Sequence, residues 1–159
     1  MRYELAATTF VFNGERFAIH FHEKVKKWLP PGGHVEQNEL PHEAAIREVI
    51  EELGVKPRLL FDLPPDYGIE TVPLPVAILV ENIDSEHCHT DMIYAAESDT
   101  KTILEPFSWV TIEEAESMGA PKDVVVLAKK CLEIVRKAGS RQQPSSHRSK
   151  DKRYAGITG

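Results

Sequence analysis

The stretch that most constrains this chain runs from Leu40 to Leu53, where the residues sort around a helix. At roughly 100° per residue, with Ile46 at the origin, Val49, Ile50 and Leu53 fall on one apolar stripe. Glu48, Glu51 and Glu52 fall on the opposite side, at about 200°, 140° and 240°. Pro41 suits the first turn, where its missing N–H costs nothing. Gly54 suits the stop. Leu40 makes a poor N-cap, so the start is less well marked than the end. An amphipathic helix of this kind belongs in a layered domain, its apolar stripe buried against another element.

Three carboxylates within one turn repel one another by a few tenths of a kcal/mol per pair. Arg47 is the only cation beside them. Such a face is either a solvated acidic surface or a site for a hard divalent cation, which takes carboxylate oxygens in octahedral geometry. The residues ahead of the helix favour the second reading. Gly32-Gly33 permits a tight turn in which bare backbone can approach a ligand or metal, and Glu39 adds a carboxylate just before the helix.

The fixed positions are Gly33, Glu39, Arg47, Glu48, Val49, Glu51, Glu52, Gly54 and Val55. They are spaced as Gly, five residues, Glu, seven residues, then Arg-Glu-aliphatic-any-Glu-Glu-any-Gly-aliphatic. In every fixed position this resembles the Nudix box. The resemblance implies an α/β/α sandwich with a mixed β-sheet, over residues 1–138, followed by a tail at 139–159. It implies an enzyme that hydrolyses the pyrophosphate bond of a nucleoside diphosphate linked to another moiety, of the ADP-ribose, sugar-nucleotide or nucleoside-triphosphate type. Mg²⁺ is the implied cofactor, with Mn²⁺ as substitute. Carried over residue by residue, Glu51 and Glu52 are metal ligands, Glu48 is a ligand or general base, and the carbonyl of Gly32 is a further ligand. Arg47 orients the carboxylates and Glu39 partners it. Glu39 also joins Trp28, Tyr67 and His89 as candidates to border the substrate. Cations in such a cluster neutralise the pyrophosphate and lower the pKa of a bound water.

A further carboxylate from later in the chain is expected as ligand or base. Glu105, just before Pro106, is the first choice, and Asp91 and Glu97 compete. His87-Cys88-His89-Thr90-Asp91 has the residue types of a zinc site, but zinc takes four ligands, usually in two separated pairs. No second pair is legible, so the stretch reads as cleft wall or polar surface, with His87, His89 and Asp91 on one strand face. Trp28 and Tyr67 sit in loops where a ring could stack on a base.

The remaining elements support a mixed α/β domain. Strands are expected at Glu4–Phe12, Arg16–His22, Lys56–Phe61 and Phe107–Val110, and buried strands at Val76–Glu81 and Met92–Glu97. Asn13-Gly14 marks a hairpin turn. Leu63–Pro75, with four prolines, reads as a long loop of functional interest. Thr111 and Glu114 form a capping box for a helix through Ser117, and Lys122–Ala138 is a long amphipathic helix.

Charge is divided unevenly. The last 21 residues carry +4, leaving −10 on the 138 before them, which speaks against nucleic-acid binding by the body. The basic tail lacks the aromatic interleaving of a stacking surface, so capped RNA is a secondary reading, as is a non-catalytic nucleotide-binding module. Apolar content of 42% excludes wholesale disorder. No apolar run approaches membrane-spanning length, and the N-terminus reads as strand rather than leader. Two cysteines, Cys88 and Cys131, are too few for a disulfide scaffold, so a reducing cytoplasm is the expected compartment. The expected partner is a small nucleotide, and a homodimer stays open.

Overall fold

The computed structural model describes residues 1–140. The expected tail at 139–159 therefore lies almost wholly outside the described residues. Its spine is a parallel pair, β1 (Arg2–Asn13) and β7 (His87–Glu97), in register from Arg2↔His87 to Phe12↔Glu97. The outer edge of β1 is shared by two antiparallel strands. β2 (Arg16–His22) pairs near Phe12, and β4 (Gly32–His34) pairs at Ala6–Thr8. β3 (Lys27–Leu29) joins β2. The outer edge of β7 is likewise shared, by β5 (Arg58–Leu60) and β6 (Ala77–Asn82), and β8 (Ser108–Val110) pairs with β2. The sheet is mixed: among the described residues the β1–β7 pair alone is parallel.

The helices cover both faces of this sheet. α1 (Pro41–Leu53) buries Ala45, Val49 and Leu53 against Ala7 and Val11 of β1 and Tyr94 and Ala96 of β7. α2 (Ile112–Ser117) and α3 (Lys122–Ser140) bury Ala115, Val125, Ala128, Leu132 and Val135 against Phe10, Phe12 and Ile93 on the other face. Strand alternation produces this division: even positions of β1 from Ala6 to Phe12 face α3, and Ala7 and Val11 face α1. The expected α/β/α sandwich is what the chain adopts. No helix among the described residues is long and apolar enough to cross a membrane.

Several local expectations shift. The hairpin loop is Gly14-Glu15, with Asn13 still paired to Arg16; the Asn13 Nδ2 donates to the Ser98 carbonyl at 2.9 Å. Two short strands, β3 and β4, which the prolines concealed, stand on either side of Pro30-Pro31, and Gly32-Gly33 lies in β4 rather than in a turn. β7 starts at His87 rather than Met92, because pairing with β1 carries polar residues into the sheet. β6 is not a buried strand: Ile78 and Val80 are exposed on its outer face, and Leu79 packs inward. On α1 the buried stripe is rotated towards Ala45, leaving Ile50 exposed. That rotation brings Glu48 and Glu52 to the edge of the buried face and leaves Glu51 outside.

Candidate active site

α1 begins without a side-chain cap, and the Glu43 carboxylate accepts the Leu40 N–H instead, at 2.9 Å. It ends at Gly54, whose φ of 71° lies in the left-handed region that glycine enters without penalty. The helix presents Arg47 as the hub of an ion-pair network. Its Nε and Nη2 donate to the two Glu39 oxygens at 2.7 and 3.0 Å. Nη1 donates to Glu48 at 2.9 Å and to Glu51 at 3.2 Å, and Nη2 also reaches the His34 carbonyl at 3.0 Å. The Arg47 hydrogen bonds hold Glu39 below its ordinary carboxylate range, and Glu39 and Glu48 push Arg47 upward. One guanidinium thus ties the loop before α1 to the helix and fixes where the Glu48 carboxylate points.

Glu48 lies directly against the backbone of Gly33, and Glu52 lies against that of Gly32. Burial, and then the adjacent Glu48 carboxylate, push the Glu52 carboxyl up to about 8, against the N–H of Gly32, which favours its charged form. Arg47 is committed to Glu39, Glu48 and Glu51, and no cationic side chain among the described residues pairs with Glu52 to relieve this crowding. The donor set is oxygen only, which suits a hard divalent cation.

Gly32, Gly33 and Glu52 form one wall of a cleft of about 740 Å³. The same cleft is lined by Glu81 from β6, Asp91 from β7 and Asp123 from the first turn of α3. Glu81 and Asp91 are diagonal neighbours on one sheet face, since Glu81 pairs with His89. Asp91 is buried. Its Oδ2 accepts the Thr8 hydroxyl at 2.7 Å, and its Oδ1 has no hydrogen-bond partner among the described residues. Burial pushes Asp91 up to about 7, with Glu81 and Asp123 adding to the effect and Thr8 opposing it. Glu81 is raised by burial and by Asp123. His20, His22 and Lys27 also border the cleft; burial and then His22 lower the His20 pKa.

The expected site residues are therefore divided. Glu52, Gly32 and His89 line the cleft, with Arg47 and Glu48 directly behind it. Burial, then His34 and His87, lower the His89 pKa. Glu39 lies outside the cleft lining, and Arg47 and the Glu36 N–H occupy both of its oxygens. Trp28 packs edge-on against Phe21, ring centroids 5.4 Å apart, and lies outside the cleft lining. Tyr67 is exposed in the loop before β6 and also lies outside it. Glu105 is exposed and outside the lining as well. The Leu104 N–H donates to the Leu53 carbonyl, which holds this segment at the C-terminal end of α1. Glu97 pairs with Arg58 across β5 and β7. Of the three candidates for a late carboxylate, Asp91 is the one in the cleft. Glu81 and Asp123 were missed, because one acid in a strand and one at a helix start carry no motif. His20 and His22 had a signal in the alternation of β2.

A model of the NUDIX domain matches residues 2–130. A probable DHNTP pyrophosphohydrolase from Lactococcus lactis is 30% identical over 115 residues, 70% of this chain and 66% of the relative, so the chain spans just under two thirds of that protein's length. Among solved structures, a NUDIX-family hydrolase from Clostridium perfringens aligns with a TM-score of 0.76 at 25% identity, covering 85% of this chain and 99% of that one. The Ap4A hydrolase of C. elegans shares the fold, with a TM-score of 0.60 at 18% identity, over 87% of this chain and 98% of that one.

Proposed function

The chain belongs to the NUDIX family, and on that premise we propose that it is a divalent-cation-dependent pyrophosphohydrolase. Within the class of nucleoside diphosphates linked to another moiety, we assign it the triphosphate of a nucleoside-like heterocycle. The observation that carries the reading is the gathering of carboxylates at one cleft: Glu52, backed by Glu48, from α1, with Glu81, Asp91 and Asp123 from β6, β7 and α3. The relative bearing the name of a DHNTP pyrophosphohydrolase supports the triphosphate class over ADP-ribose or a sugar nucleotide.

The residues divide the work as follows. Glu48, Glu51, Glu52 and the Gly32 carbonyl are the set that would hold Mg²⁺ or Mn²⁺. When bound, the cation neutralises the pyrophosphate and acidifies a water. Arg47 positions Glu48 and Glu51 through its two Nη1 contacts and is a positioning residue. Asp91, raised to about 7 by burial, is suited to accept a proton from the attacking water, since a base works best when its pKa lies near the working pH, and Glu81 stands beside it on the same sheet face. Lys27, at the same cleft, supplies positive charge for a phosphate oxygen.

A substrate panel tests this directly. Nucleoside and pterin triphosphates, ADP-ribose and sugar nucleotides are incubated with Mg²⁺, and released phosphate, pyrophosphate and monophosphate are measured. Triphosphates should be consumed, chelator should abolish turnover, and Mg²⁺ or Mn²⁺ should restore it. Consumption of ADP-ribose or a sugar nucleotide with triphosphates left intact would overturn the substrate assignment.

A further inference from the structure

A second group of potential ligands gathers at the rim of the cleft, from three strands. The β1–β7 register sets Glu4 beside His89, and His87 lies two residues earlier on the same strand face. β4 brings His34 to the other edge of β1 through the pair Ala6↔His34. One oxygen of Glu4, Oε2, then lies 2.9 Å from His34 Nε2 and 3.0 Å from His87 Nε2. The Nε2 atoms of His34 and His89 are 3.0 Å apart. All four donor atoms lie within 4.8 Å of one another.

We propose that Glu4, His34, His87 and His89 bind one transition-metal cation of the zinc class, at a site separate from the carboxylates of α1. Ligands at zinc distances of about 2.0–2.1 Å stand about 3.4 Å apart at the corners of a tetrahedron. The three contacts of 2.9–3.0 Å would spread slightly towards this spacing, and the other donor pairs, all within 4.8 Å, would adjust to it through side-chain rotation. The donors are also of the right kind. Three imidazoles and one carboxylate form a nitrogen-rich set that favours zinc over magnesium, whereas Glu48, Glu51 and Glu52 offer hard oxygen.

The ring nitrogens are poorly satisfied by one another. His87 Nε2 is buried, and its approach to Glu4 is not aligned as a hydrogen bond. Two neutral rings facing through Nε2, as His34 and His89 do, can place only one proton between them. An ion at the centre would take all three Nε2 lone pairs and leave the ring protons on Nδ1. The carboxylate at the centre disfavours an anion as the occupant. Cys88 is not part of the set: it alternates to the other strand face, where its thiol meets Asn82. The ion would clip β4, a strand of three residues, to the β1–β7 spine and so steady Gly32 and Gly33 beside α1.

The test uses the full chain and zinc alone as probe, with excess Mg²⁺ present to occupy the carboxylates. Calorimetry should give one Zn²⁺ per chain, zinc should raise the melting temperature, and Co²⁺ in its place should show the visible absorption of a tetrahedral nitrogen-rich site. His34→Gln and His87→Gln should each weaken zinc binding by at least about tenfold, since even outer-shell partners of a metal contribute that much. The His34 side chain is 55% exposed, so its replacement leaves the core intact. Glu52→Gln should keep the stoichiometry. Absence of zinc uptake, parental zinc affinity in both histidine variants, or loss of uptake in Glu52→Gln would overturn the assignment. Catalytic turnover is not among these readouts, so the pyrophosphohydrolase reading stands or falls separately.

Discussion

A β-carbon at Gly33 would stand 2.4 Å from Oε1 of Glu48, so the middle residue of β4 and a carboxylate of the helix itself fill one space. The glycine is needed here for close approach, not for an unusual φ. The Glu48 oxygen is also held by Arg47, at 2.9 Å, and cannot retreat without breaking that bond.

Gly33→Ala should therefore displace the Glu48 carboxylate while leaving the sheet in place. A misplacement near 1 Å in an active site can cost about a hundredfold in rate. We expect kcat to fall on that scale with a melting temperature close to that of the parent. Unchanged kcat in a folded Gly33→Ala variant would show that Glu48 has no positional role.

Arg47→Ala should act on stability as well as on rate. It strands Glu39, a buried-side acid whose two oxygens both accept from Arg47, and releases the mutual repulsion of Glu48 and Glu51. Hydrogen bonds to charged groups contribute about 1.5–3 kcal/mol, and urea unfolding should show a loss of at least that size. Arg47→Lys should recover little, because a single ammonium cannot reproduce the planar fork.

Metal-free protein should lose stability as the pH rises. The folded-state pKa of Glu52, about 8, lies above its ordinary value of 4.5, so between these the folded chain binds more protons than the unfolded one. Its contribution is intact below about pH 4.5 and is lost as pH passes about 8. Asp91, raised to about 7, adds to the same slope. Thermal unfolding in chelator should show a melting temperature that falls between pH 5 and 8, with a shallower fall in Glu52→Gln. A flat profile in the parent would contradict the buried carboxylate pair. Restoring Mg²⁺ at pH 8 should raise the melting temperature, and Glu52→Gln should lower kcat by at least about a hundredfold through loss of a metal ligand.

The identity of the late carboxylate can be settled by three substitutions. Asp91→Asn and Glu81→Gln should lower kcat within the roughly 10²–10⁴-fold range of general-base help. Glu105→Gln should leave it within a fewfold, because Glu105 is exposed at the end of α1 and outside the cleft. A crippled Glu105→Gln with an active Asp91→Asn would reverse this ordering.

What the sequence determined by itself was local. The period of α1, its stop at Gly54, the capping box at Thr111 and the spacing from Gly33 to Val55 depend on neighbours within a few turns, and each is present in the fold. The pairing of Arg47 with Glu39 was legible for the same reason, since one helix and the loop before it contain both. Register and depth were decided elsewhere. Asp91, Glu81 and Asp123 share a cleft because β6 pairs with β7 and α3 starts over that face, and no spacing along the chain encodes such a meeting. His87 and His89 lacked a second pair of ligands in the sequence; the parallel register of β1 with β7 brought Glu4, and the short β4 brought His34. The placement of Trp28 and Tyr67 was likewise decided by pairing and packing: Trp28 lies in β3 opposite Phe21 and turns onto its ring, and Tyr67 is exposed in the loop before β6, so neither lines the cleft. Short-range periodicity fixes which residues can form an element, whereas long-range strand pairing fixes which elements share a site.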